Sequence, residues 1–379
     1  MRAFTEIERY CKPRFSQATP LKSWGWSAAR QPAVFHSTST PVIRTFCKLP
    51  VLAALGLLLG GATPMPAPVR SVPNVILFVG NSFFHGQYQP VLAYNAAHLT
   101  DENYGLPSTD PRCETTTGEP VVWGGTPGIF KQFTEEAGLN YEVHFEEINA
   151  KSLQYHYDYA LAVIQQPRWN TVVLQEHSVR ALPARHGGRP DLFRDYATRL
   201  EQAVHTASPA ARVYLFQTWP RADLCYPPNT PYAGLPLDSM ALELHASYYD
   251  LLRQNTRLAG VAPAGDAWLH AIEAGVAQRN PYAPESGKID LWAEDHYHPS
   301  NCGAYLNTCV LFGEITGRDP RTLGSSELAA AALGISPAQA ISLQRLASEQ
   351  IRAARPTAFS GTTNNSKPAP RKLKVKAKS

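Results

Sequence analysis

The chain has 379 residues, 44% hydrophobic and 17% charged, with a formal net charge of +4. That composition excludes a disordered or fibrous chain and allows one sizeable core. The charge is uneven: residues 1–48 hold eight Lys/Arg against two Glu and residues 367–379 hold six Lys/Arg and no acid, so the body between them carries −8, and an acidic body without a basic groove argues against nucleic acid as a partner.

The first informative stretch is RTFCKLPVLAALGLLLGGATPMPAP, from Arg44. It has the positive flank, apolar core and small-residue exit of a secretory signal. The apolar core, Leu49 to Leu59, is too short to span a bilayer as a stable helix. The expectation is a signal peptide over 42–67, cleaved between Gly61 and Ala67, and a secreted or periplasmic protein with no transmembrane segment after cleavage. Residues 1–41 then read as a non-native or disordered extension, with translation starting near Val42 from a non-Met codon. No LxGC pattern for lipid anchoring follows. Cys113, Cys225, Cys302 and Cys309 remain, in a compartment that permits disulfides. Cys302 and Cys309 lie about 10 Å apart by helical rise, too far for a bond, so a bridge would join other pairs.

From Asn74 onward strand-like and helix-like segments alternate. NVILFVG is the first strand. TPGIFKQFTEEAG reads as a helix, with Thr126 as cap, Pro127 in the first turn and Gly138 as the stop. YEVHFEEIN is the second strand. SLQYHYDYALAVIQQP places Leu153, Tyr157, Ala160, Leu161 and Ile164 on one helical face. TVVLQ is a short central strand, DLFRDYATRLEQAVHTA a helix, ARVYLFQTW a fourth strand, LDSMALELHASYYDLLRQN a helix, and GVAPAGDAW contains the fifth strand. Helices of this length between strands imply parallel pairing through right-handed crossovers, hence an α/β doubly wound sheet. A domain over 74–320 closes with a helix from Asn301 to about Gly317. Two capped helices over 321–355 form an extension expected to pack on it. Residues 356–379 read as a disordered basic tail, free to touch anionic surfaces.

Two segments carry chemistry. In VILFVGNSFFHG a buried strand ends in Gly80-Asn81-Ser82, which sets a hydroxyl at the sheet edge where open α/β sheets bind ligands. Ser82 is a nucleophile candidate or an ordinary helix cap, and both readings stand at this point. In LWAEDHYHPSNCGAYL, Asp295 and His298 are separated by two residues on a turn. That spacing lets the carboxylate hold one ring nitrogen while the other takes a proton from a hydroxyl, and Ser82 is the natural donor.

GNSF near the start and DHYHP near the end resemble blocks I and V of the SGNH (GDSL-type) hydrolase superfamily, with Asn81 where Asp is usual. The resemblance covers about Asn74 to Gly317. It implies a three-layer α/β/α sandwich with a flavodoxin-like, parallel five-stranded sheet, and cleavage of esters by Ser82, His298 and Asp295. It also implies oxyanion donors at Ser82, at Ala150 in INAKSL where the family carries a glycine, and at Gln175 in VLQE where the family carries GxND. Alanine suits a backbone donor unless its φ is positive, and Gln offers the same amide on a longer stem. GNSFF lacks the closing glycine of the GxSxG elbow of α/β-hydrolases.

Other polar residues at strand ends are pocket candidates or structural hydrogen-bonders: His85, His177, Trp219 and Arg221, with Asp223, Trp123 and Asp266 nearby. Glu294, Asp295, His296 and His298, with Glu176, His177 and Asp266, offer an alternative as ligands of a metal phosphoesterase, His296 and His298 then facing one side of a strand. The ester hydrolase needs no metal, nucleotide or other cofactor. Its partner is a small-molecule or glycan ester. The rival class is a non-catalytic binding protein that keeps the fold.

Overall fold

NVILFVG forms β1 (Asn74–Gly80), buried from Ile76 to Gly80. The computed structural model describes residues 72–114 and 123–354. The expected signal peptide, the extension before it and the basic tail lie outside the described residues.

β1 is flanked in parallel by β3 (Tyr141–Glu147) and β4 (Thr171–Leu174). The sheet then continues, all parallel, through β5 (Arg212–Phe216) and β6 (Gly260–Ala262). The five-stranded sheet expected from the sequence has a sixth member, the two-residue β2 (Thr100–Asp101), which pairs with β3 at the edge and gives the order β2-β3-β1-β4-β5-β6. β2 carries no apolar run, because an edge strand two residues long buries almost nothing. Without it the order is the flavodoxin-like 2-1-3-4-5.

The helices are α1 (Ser82–His85), α2 (Gly125–Glu136), α3 (Leu153–Ile164), α4 (Pro190–Ala207) and α5 (Ala222–Cys225), followed by α6 (Leu237–Gln254), α7 (Ala264–Glu273), α8 (Asn301–Thr316), α9 (Leu328–Ala332) and α10 (Pro337–Ala354). α2 and α8 pack side by side on one face, with α10 laid over α8 and α7. On the other face α3 packs on α4, and Phe193 of α4 meets Tyr248 of α6 at 4.7 Å. The result is a three-layer α/β/α sandwich. α8 is buried on nearly every side because α2, α7 and α10 surround it, which is why its apolar residues follow no single stripe. α10 opens with a reciprocal cap: Ser336 Oγ accepts from Gln339 N at 3.4 Å, and Gln339 Oε1 accepts from Ser336 N at 3.0 Å. Among the described residues no helix is long and apolar enough to cross a membrane.

Two local expectations change. In α3 the buried face is Leu153, His156, Ala160, Val163 and Ile164, while Tyr157 and Leu161 are only partly buried. The stripe turns because His156 is fully buried against the Glu146 carboxylate of β3. α2 starts at Gly125 with Gly124 as its cap, so Thr126 sits inside the helix with its hydroxyl buried. The reason is close approach. Gly125 lies at φ +54, and a Cβ there would stand 2.3 Å from His85 Cα. Gly125→Ala is therefore expected to cost about 3 kcal/mol through backbone strain and overpacking. A urea midpoint equal to wild type would contradict this.

Candidate active site

The carboxyl end of β1 delivers Gly80, Asn81 and Ser82 into the short α1. Asn81 is 2% exposed and bonds three ways. Its N–H donates to Gln175 Oε1 at 2.9 Å, its Nδ2 to the Lys151 carbonyl at 2.8 Å, and its Oδ1 accepts from Phe83 N at 3.1 Å. Asn81 is thus the cap of α1, and it joins the turn after β1 to those after β3 and β4. Gly80 keeps this junction tight, since a Cβ there would lie 2.5 Å from Gln175 Oε1.

Residues 292–299 form the opposing wall. Trp292 and Pro299 make an antiparallel bridge, and Ala293 N donates to the His298 carbonyl at 2.8 Å. Within this small hairpin Asp295 Oδ1 accepts from the N–H groups of Tyr297 (3.0 Å) and His298 (2.9 Å), while Oδ2 meets His298 Nδ1 at 2.6 Å. His298 Nε2 lies 2.9 Å from Ser82 Oγ. Ser82 and His298 are 4% and 6% exposed, so the contact is screened from bulk water. Burial alone would raise the Asp295 carboxyl, but the His298 side chain and charge, with the two backbone N–H groups, outweigh it and hold the carboxyl below its ordinary value.

The remaining sequence candidates separate. Ala150 stands at φ +57 in the exposed turn after β3. The position therefore does have the left-handed backbone that favours glycine, and the alanine bears that strain. Gln175 is fully buried, with its amide oxygen on Asn81 N–H and its amide nitrogen on the Glu176 carbonyl. His85 is 1% exposed, bonds the Gly86 carbonyl at 2.7 Å and stacks on Trp123 at 3.9 Å. Trp219 is fully buried between Phe83 (4.2 Å) and Trp268 (4.8 Å). His85 and Trp219 are buried walls of the core beneath the turn after β1, while Trp123 lines a cleft of about 320 Å³ beside β2. Arg221 spans Asp223 and Ser178 and lies 3.7 Å over the Tyr297 ring. His177 is partly exposed beside it. Asp266 belongs to α7, where it accepts from Gln217 Nε2 at 2.7 Å and meets His245 at 2.8 Å.

The rings of His296 and His298 do not share a side: His296, at φ +57, lies against Tyr282 at 4.1 Å, while His298 lies against Tyr297 at 4.0 Å. The chain turns there instead of running as a strand. Among the described residues no group of three or more His, Cys, Asp or Glu side chains is placed to hold a metal ion. Cys225, Cys302 and Cys309 form no disulfide. Sequence reasoning missed the support residues. Tyr297 and Phe83 flank His298, and Lys151 acts only through its carbonyl, which no side-chain pattern reveals. Tyr297 lies inside the DHYHP motif and Phe83 directly follows Ser82, so position alone could have flagged both.

Burial sets the ionisation of the surroundings. It pushes Glu176 up to about 7, against the His177 and Leu153 N–H groups, and Glu327 up to about 7. Asp101 rises to about 6, mainly through burial. His85 falls to about 3 through burial, and His177 to about 4 through burial and then Arg221 and Arg180. The raised carboxyls stabilise the fold below the ordinary Glu value of 4.5, and that contribution fades as pH rises through 6 to 7. The depressed imidazoles contribute fully above 6.5 and lose this as pH falls towards 4 and 3. The thermal midpoint should therefore peak between about 4.5 and 6.5; a midpoint still rising at pH 8 in a calorimetric series would refute that. Asn81→Asp keeps the acceptor for Phe83 but sets a carboxylate oxygen against the Lys151 carbonyl. It should cost roughly 1–3 kcal/mol in chemical denaturation, and an unchanged free energy of unfolding would show that the junction does not depend on the amide.

No protein-family model matches the chain, and no curated protein matches it. Solved structures do. The chain is similar to a DUF4886 family protein from Bacteroides uniformis, at 13% identity over 76% of this chain and 98% of that one, with a TM-score of 0.47. It is similar to a GDSL-like lipase from Parabacteroides merdae at 16% identity, covering 65% of this chain and 96% of that one, with a TM-score of 0.41. A lipase/acylhydrolase from Enterococcus faecalis matches at 14% identity over 65% of this chain and 96% of its own, with a TM-score of 0.38. GDSL-type lipases and esterases are thus among the structures this chain is similar to, at low sequence identity.

Proposed function

We propose that the protein is an exported serine hydrolase that cleaves a carboxylic ester, such as a small acyl group carried by a carbohydrate or lipid. The observation that carries this reading is the unbroken line from Asp295 through His298 to Ser82, at 2.6 and 2.9 Å. A serine hydroxyl alone is a poor nucleophile at neutral pH, and an adjacent imidazole held by a carboxylate supplies the missing base. Export rests on the signal-like segment over 42–67.

In this reading His298 Nε2 takes the proton as Ser82 Oγ attacks the carbonyl carbon. Asp295 fixes the ring with Nδ1 protonated and offsets the imidazolium charge. The carbonyl oxygen, now an oxyanion, takes hydrogen bonds from the N–H groups of Ser82 and Ala150 and from the second amide hydrogen of Gln175, the first being held by the Glu176 carbonyl. Collapse expels the alcohol, which receives the proton from His298. Water then attacks the acyl-serine through the same base, releasing the acid and restoring Ser82. His177 and Arg221 are the candidates in this reading to line the substrate pocket.

A fluorophosphonate probe and a panel of esters from acetyl to long-chain acyl test this directly. The folded wild type should label at Ser82, and Ser82→Ala should lose labelling and lower kcat by on the order of 10⁴-fold or more. A folded wild type that neither labels nor cleaves any ester of the panel would leave the binding protein as the better account, and loss of cleavage on chelation would favour the metal phosphoesterase.

A further inference from the structure

We propose that Arg221 is a positioning residue that acts through Tyr297: its guanidinium holds the tyrosine ring, and that ring holds the plane of the His298 imidazole. The inference deepens the hydrolase reading and rests on it for its kinetic consequence, but not for the contacts themselves.

Hydrogen bonds fix His298 at two corners, Nδ1 on Asp295 at 2.6 Å and Nε2 against Ser82 Oγ at 2.9 Å. The imidazole can still rock about the line through those two contacts, and only groups packed against it oppose that motion. Two aromatic rings are placed to do so. Phe83 stands edge-on at 5.9 Å, and Tyr297 lies at 4.0 Å, tilted by 46°. Phe83 is fully buried and stacked on Trp219 at 4.2 Å, so the core fixes it. Tyr297 is partly exposed on the hairpin and depends on support from outside.

That support comes from the segment after β5. Trp219 Nε1 donates to the Tyr297 carbonyl at 3.2 Å, and Asp223 N donates to the His296 carbonyl at 3.2 Å, which ties down two successive peptide groups of the hairpin. Neither bond reaches a ring. Arg221, between the two in the chain, does: its Cζ stands 3.7 Å from the centre of the Tyr297 ring. The guanidinium is itself held by Asp223, through Nε at 3.0 Å and Nη2 at 2.6 Å, while Nη1 donates to Ser178 Oγ at 3.0 Å. A forked pair of this kind fixes a plane as well as a position. The Arg221 side chain is 14% exposed, so water screens little of its attraction for the π face. Asp223 offsets the guanidinium charge, and the tyrosine gains a rigid plate without a net cation set beside the imidazole.

With the plate removed, the Tyr297 ring is free to shift, the imidazole rocks, and Nε2 spends less time in line with Ser82 Oγ. In the full chain Arg221→Met, which keeps the length and loses the fork, should lower kcat about tenfold with KM unchanged. Arg221→Lys keeps the charge but can neither lie flat nor fork, so it should recover little of that loss. A double-mutant cycle tests the route: in a Tyr297→Leu background, Arg221→Met should have no further effect on kcat. Isotope-edited NMR of the His298 Nδ1 proton supplies a readout that needs no turnover. Its resonance should shift in Arg221→Met, and in the double variant it should stay where Tyr297→Leu alone puts it. If wild type cleaves no ester while the resonance follows that pattern, the hydrolase reading fails and the positioning role stands. A rise in KM with kcat unchanged would make Arg221 a substrate contact and overturn the inference. Additive losses in the cycle, or full recovery by lysine, would overturn it as well.

Discussion

The structure turns on the amide of Asn81. Three strand ends converge there, and without this residue the Phe83 N–H, the Lys151 carbonyl and the Gln175 amide oxygen would each lose a partner. The side chain accepts from its own helix, donates to the turn after β3, and its backbone donates to the glutamine that closes β4. An acid at this position could fill the first role but would oppose the second. The choice of amide over carboxylate is therefore a matter of which atoms face it. With the junction fixed, the Ser82 hydroxyl has a defined direction, and the His298 imidazole from the other end of the chain meets it at 2.9 Å.

That imidazole is held by short-range geometry. Asp295 and His298 belong to one tight hairpin in which the carboxylate accepts from the backbone of the residue it orients. Its charge is stabilised by hydrogen bonds that outweigh the cost of burial. The opposite balance prevails around the site, where burial wins over local donors at Glu176 and leaves Glu147 with both carboxylate oxygens buried and unbonded, its carboxyl raised well above the ordinary range. One carboxyl is thus held below its ordinary value while others nearby are held above theirs. Asp295 and Glu176 each accept two backbone N–H groups, so their difference lies in the His298 ring on Asp295 and the near-complete burial of Glu176.

Most of the fold was readable in the sequence because it rests on signals that act locally. NVILFVG, YEVHFEE and TVVL are apolar enough to be central strands, and the helices between them force parallel pairing. β2 was not readable, since two polar residues at an edge have no pattern of their own. The inward turn of α3 was missed because His156 counts as polar until its partner Glu146 is seen across the layer. In the site, Ser82, Asp295 and His298 could be picked out from their neighbours in the chain. The positive φ of Ala150, the burial of Trp219 and the walling role of His85 depend on what packs against them, and one-dimensional spacing holds no trace of that.

Phe83 rests on Trp219, Trp219 on Trp268, and Trp268 meets Trp292 edge-on at 5.2 Å. Trp292 opens the hairpin, and its indole donates to the Pro220 carbonyl at 2.9 Å. A continuous column of rings therefore runs from the residue after the serine to the first residue of the segment that bears the imidazole. Rigid aromatic planes transmit displacement with little loss, so a shift at either end carries the other with it. Divergence among descendants of this chain is consequently cheapest in loops outside the column, and the Ser82 turn and the His298 hairpin stay in register only while all four rings remain.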